Sequence, residues 1–77
     1  MVKEFLEGET YTNAELSQDV MVLGIGSDTK DEVVMAILWV DRESQATTGG
    51  GELTVKKSDF KRWSKAKLWL RKRVCQR

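Results

Sequence analysis

At 77 residues the chain sits at the small end of single-domain size, where roughly 60–65% of the unfolded surface is buried on folding, so there is room for one core and not two. Its 40% hydrophobic content, with three Trp, two Phe and one Tyr, argues against wholesale disorder. The longest apolar run, Val33 to Val40, falls far short of the roughly 20 residues a membrane-crossing helix needs. The net charge of +1 is a sum of opposites: residues 1–59 hold five Lys/Arg against twelve Asp/Glu, and residues 60–77 hold eight against none.

The chain begins Met1-Val2-Lys3-Glu4-Phe5-Leu6-Glu7, which interrupts its apolar residues with acids and has no small-residue cleavage site. A secretory signal is not expected there, and the cytoplasm is the expected compartment. Thr12-Asn13-Ala14-Glu15 has the spacing of a capping box, but the polar stretch after it is too short for a helix and reads as a turn or loop. Val20-Met21-Val22-Leu23-Gly24-Ile25 and Val33-Val34-Met35-Ala36-Ile37-Leu38-Trp39-Val40 are both rich in β-branched residues. The polar link Ser27 to Glu32 between them predicts a hairpin. A competing reading makes residues 29–40 a helix capped by Asp28, against which Val33, Val34, Ile37 and Val40 weigh.

Neither strand alternates, so both faces are expected to be at least partly covered, which in a short chain means a curled sheet with a helix or a second chain against it. Gly24 and Gly26 inside the first strand suggest flexibility or a bulge. Glu43 to Gly51 ends in three glycines and is expected to be a mobile loop. Leu53-Thr54-Val55-Lys56 alternates as a half-exposed strand, and Ser58-Asp59 offers an N-cap for the C-terminal segment.

Placed on a 3.6-residue period, residues 60–77 form a C-terminal helix with Phe60, Trp63, Ala66, Leu70 and Val74 on one apolar stripe. The opposite side gathers Lys61, Arg62, Lys65, Lys72 and Arg73 around Trp69. Cations that neutralise phosphates, with an indole able to stack on an unpaired base, are what low-selectivity nucleic-acid binding needs. Arg62 and Arg73 have the fork for bidentate phosphate contact, whereas Lys61, Lys65 and Lys72 are point charges. Against this stands solvation of an ordinary basic helix face, and, for Trp69, burial under a loop or a second subunit. A rival reading docks the basic helix on an acidic surface, either a partner protein's or that of another copy. A third sets it on an anionic membrane.

The fold class expected from these elements is α+β and mostly β: a single domain over 1–77, with an acidic strand-rich body (1–59) and a basic helix (60–77). Strands, a glycine loop, a last strand and a terminal helix resemble the SH3-like small β-barrel superfold, which includes small archaeal chromatin proteins with a helix after the last strand. The resemblance covers roughly residues 9–75, is architectural, and carries over no functional residue. In size and pattern the chain also resembles the short orphan reading frames of phages and mobile elements.

Signals for an enzyme are weak. Gly24-Ile25-Gly26 lacks the third glycine of a dinucleotide fingerprint, since that position is Thr29. Asp41 and Glu43 could pair as acid and base, but without a histidine they read as a solvated strand end. Asp28, Asp31 and Glu32 lack calcium-loop spacing and read as a polar turn. With no His and only Cys75, neither a zinc set nor an internal disulfide can be assembled, and no cofactor is expected.

Overall fold

The computed structural model describes residues 2–66. Five strands form one antiparallel sheet: β1 (Thr10–Asn13), β2 (Asp19–Asp28), β3 (Glu32–Val40), β4 (Thr47–Lys56) and β5 (Trp63–Lys65), in the spatial order β4-β3-β2-β1-β5. A 3-10 helix, Lys57–Arg62, carries the chain from β4 at one edge to β5 at the other. The mostly-β expectation therefore holds.

The hairpin is β2–β3, with the whole of Val33–Val40 inside a strand, so the helical alternative for 29–40 is set aside. Thr29 closes its turn by donating its N–H to Glu32 O at 2.9 Å, while its hydroxyl oxygen accepts the Glu32 N–H at 3.2 Å. The register slips between Val22 and Gly24 and again between Ile25 and Ser27, so the glycines sit at bulges. Bulges bend a long strand, which lets the inner face wrap around its contents.

That inner face holds Tyr11, Val20, Val22, Val33, Met35, Ile37 and Val55, closed by Val2, Phe5, Phe60 and Trp63. Phe5 is the hub, meeting Tyr11, Phe60 and Trp63 edge-on with ring centroids 4.6, 5.1 and 5.4 Å away. Such edge contacts add about 0.5–1.5 kcal/mol each beyond area burial. The Leu6 N–H donates to the Tyr11 hydroxyl at 2.9 Å, and the Val2 N–H to Trp63 O at 3.1 Å, which seats the N-terminal segment against β5.

Three expectations are corrected. Residues 60–66 are not helical: Phe60 lies in the 3-10 helix and Trp63 opens β5, whose Trp63, Ser64 and Lys65 pair with Asn13, Thr12 and Tyr11 of β1. Phe60 and Trp63, three apart, fit a helical stripe and a 3-10 turn equally well. Pairing the next three residues satisfies the backbone edge of β1, which a helix would leave bare. The remainder of the expected helix lies outside the described residues.

The glycine run is not a loop, for Gly49, Gly50 and Gly51 pair with Trp39, Leu38 and Ile37 inside β4. Ladder hydrogen bonds need only backbone, so a strand can run through glycines where a neighbouring strand holds them. The outer face is partly covered, as expected: Met21, Val34 and Leu38 are half-buried, while Ala36 and Leu23 are exposed. Ser58 and Asp59 do not cap the 3-10 helix, whose N-cap is Lys56 with no side-chain hydrogen bond.

Candidate binding surface

Of the six residues expected to form a cationic patch, Lys61, Arg62 and Lys65 are described and exposed, whereas Trp69, Lys72 and Arg73 lie outside the described residues. Lys61 and Arg62 sit in the 3-10 helix and Lys65 at the end of β5.

The acidic body already meets two of them. The Arg62 guanidinium donates through Nη1 to Glu15 Oε2 and lies 3.9 Å from Asp59, while Lys65 Nζ is 3.5 Å from Glu9 Oε1. Lys57 Nζ pairs with Asp28 at 2.7 Å. Among the described residues Lys61 makes no ion pair. These are exposed contacts, each contributing about 0–1 kcal/mol, and each sets a carboxylate beside a cation.

Arg42 is a polar anchor missing from the sequence expectations, which single out its neighbours Asp41 and Glu43. Its Nε donates to Asp19 Oδ1 at 2.8 Å, and its Nη2 donates to Leu16 O at 2.9 Å and Gln18 O at 3.2 Å. The fork of five donors suits one buried carboxylate and two carbonyls at once, and so fixes the β1–β2 loop against the end of β3. Asp41 instead turns the chain: its Oδ2 accepts the Ser44 hydroxyl at 2.8 Å and the Ser44 N–H at 3.3 Å. Those two bonds, the hydroxyl first, hold the Asp41 carboxyl below its ordinary value of 3.8.

Among the described residues no three His, Cys, Asp or Glu side chains converge as a metal site, and no helix is long and apolar enough to cross a membrane. A 580 Å³ depression at the β2–β3 tip is lined by Lys30, Asp31, Glu32, Lys56, Lys57 and Ser58, charges of both signs open to water.

The two sheet edges differ. The β5 edge is partly closed by the Val2–Trp63 bond, whereas among the described residues β4 has a neighbouring strand on one side only. The Lys57 N–H donates to Asp31 O at 2.8 Å, which marks 31–57 as a hydrogen-bonded pair in the same register that aligns Val33 with Val55 and Leu53 with Met35. Hydrogen-bonded and non-hydrogen-bonded pairs alternate, so Val55, Leu53, Gly51 and Gly49 bond inward to β3. Lys56, Thr54, Glu52 and Gly50 turn their N–H and C=O groups outward, and all four residues are exposed. Opposite Gly50, Leu38 fills the space where a side chain would stand, its Cδ2 lying 3.4 Å from the position of a Cβ.

The chain matches no protein-family model, no curated protein and no solved structure.

Proposed function

We propose that this chain is a non-enzymatic binding module whose partner is a protein, gripped by main-chain pairing along β4. The observation that carries this is the open edge, a row of outward donors and acceptors at Gly50, Glu52, Thr54 and Lys56. Such a row is a template for strand addition, in which backbone bonds give affinity and alternate side chains give selectivity. Beside it the half-exposed outer face, with Val34 and Leu38, offers apolar contact. A sheet whose last strand returns to pair with its first supports the SH3-like superfold as its architecture. We place its action in the cytoplasm, where the lone Cys75 stays reduced.

A photo-crosslinking side chain at Gly49, which has open space where a side chain would stand, tests the reading in living cells. A covalent adduct with a polypeptide is expected. Adducts with nucleic acid alone overturn it.

Nucleic acid is the second reading, favoured by the eight cations and no acids of residues 60–77 and by exposed Lys61. Steeply salt-dependent binding to labelled DNA or RNA that is lost in a Lys61→Glu/Lys65→Glu variant is its expected signature. Salt-independent or absent binding removes it.

A further inference from the structure

The β4 edge carries a short pattern that is complementary to itself. Glu52, Thr54 and Lys56 alternate along the strand, so their side chains share one face, and their backbone groups share the free edge. Neither Glu52 nor Lys56 takes part in an ion pair among the described residues.

We infer that the partner is a second copy of this chain, joined β4 to β4 in antiparallel register about Thr54. Residues whose N–H and C=O point outward must face each other in such a pairing. A two-fold axis through Thr54 therefore sets Glu52 opposite Lys56 of the second copy, Lys56 opposite its Glu52, and Thr54 opposite its Thr54. Opposite charges and Thr–Thr are both favourable cross-strand pairs, and like charges directly opposed are unfavourable.

Sliding the register by two residues toward the strand's start, so that the axis falls at Leu53, opposes Glu52 to Thr54 and Lys56 to Gly50, and forms no charge pair. Sliding it by two more opposes Glu52 to Glu52. The charge pattern therefore selects one register. The result is a continuous ten-stranded sheet across two chains, with the β5 edges at its ends, where the Val2–Trp63 bond already occupies part of the edge.

This inference rests on β4 being the binding edge, and its test separates the two. Sedimentation of the purified chain across a wide range of concentration is expected to show a monomer–dimer equilibrium. Glu52→Lys places Lys against Lys and Lys56→Glu places Glu against Glu, so each alone should weaken the dimer about tenfold, at roughly 0.5–1 kcal/mol for each of two opposed pairs. The double variant Glu52→Lys/Lys56→Glu restores both pairs and should restore the dimer.

Mixing the two single variants is the sharper measurement. A chain with two lysines against a chain with two glutamates forms both pairs again, so heterodimers are expected where neither homodimer persists. Thr54→Pro removes an N–H that faces away from β3, and should abolish the dimer while circular dichroism and thermal unfolding show a folded monomer. A parent that is monomeric throughout, or a dimer indifferent to both charge reversals, overturns self-pairing. If Gly49 still crosslinks to some other polypeptide, the broader reading of the edge survives that failure.

Discussion

Arg42 Nε donates to Asp19 Oδ1 at 2.8 Å, joining the second residue past β3 to the first residue of β2, and the Asp19 side chain is only 6% exposed against 40% for Arg42. The carboxylate is the committed partner, since it has left water and the guanidinium has not fully done so. Arg42→Met is expected to cost about 2–3 kcal/mol, below the full penalty for breaking a buried pair because the guanidinium is partly solvated. Urea unfolding measures it. Adding Asp19→Asn to Arg42→Met should recover part of the loss, because the stranded charge is then gone.

Phe5 meets three aromatic rings edge-on and is 5% exposed. Phe5→Ala should destabilise the fold by about 3–5 kcal/mol, the usual range for emptying a buried phenylalanine site. Loss of near-ultraviolet circular dichroism with retained strand signal would trace the damage to the aromatic cluster. A change under about 1 kcal/mol would contradict Phe5's place at the hub.

Gly8 and Gly51 make a contrasting pair. Gly8 has φ +85° with open space around the missing side chain, so Gly8→Ala is penalised by backbone conformation alone, by about 1–2 kcal/mol. Gly51 also has open space but sits extended in β4, and Gly51→Ala should be neutral or stabilising by about 0.5 kcal/mol, by restricting the unfolded chain. Thermal unfolding of the two variants side by side checks the opposed signs.

Asp41 supplies the pH-dependent contact. Its carboxyl is held below 3.8 by the Ser44 hydroxyl and then the Ser44 N–H, so the folded chain prefers it ionised. A folded value below the unfolded one means that the contribution is present in full above the unfolded value and is lost as pH falls through the folded one. Ser44→Ala should therefore be less stable than the parent at neutral pH, with the two converging under strong acid. A carboxyl-detected nuclear magnetic resonance titration should show Asp41 moving up toward 3.8 in the variant. No movement would show that the hydroxyl is not what holds it down.

Side-chain character revealed the β2–β3 hairpin, the glycine bulges and the burial of Phe60 and Trp63, because each is a local matter of branched, missing or large apolar groups. What stayed hidden was decided by neighbours. Thr10–Asn13 is too short and polar to declare itself a strand, and becomes one because β2 and β5 flank it. Gly49–Gly51 reads as a loop by composition and is a strand because β3 supplies its ladder. The cationic residues of the candidate site were legible as charges, but the carboxylates that meet Arg62 and Lys65 come from Glu15 and Glu9, which only the folded sheet brings near. The open edge is a property of strand order, which no segment carries alone.

The 3-10 helix that passes from one sheet edge to the other also sets when the sheet can be finished. Val2 bonds to Trp63, and β5 pairs with β1, so both ends of the described chain must be present before the core can close. Contacts so distant along the chain delay the rate-limiting step, and folding on the millisecond-to-second scale of non-local β proteins is the consequence. During synthesis β1 and the β2–β3–β4 meander emerge before β5, and the aromatic lid of Phe5, Phe60 and Trp63 can assemble only after Trp63 leaves the ribosome.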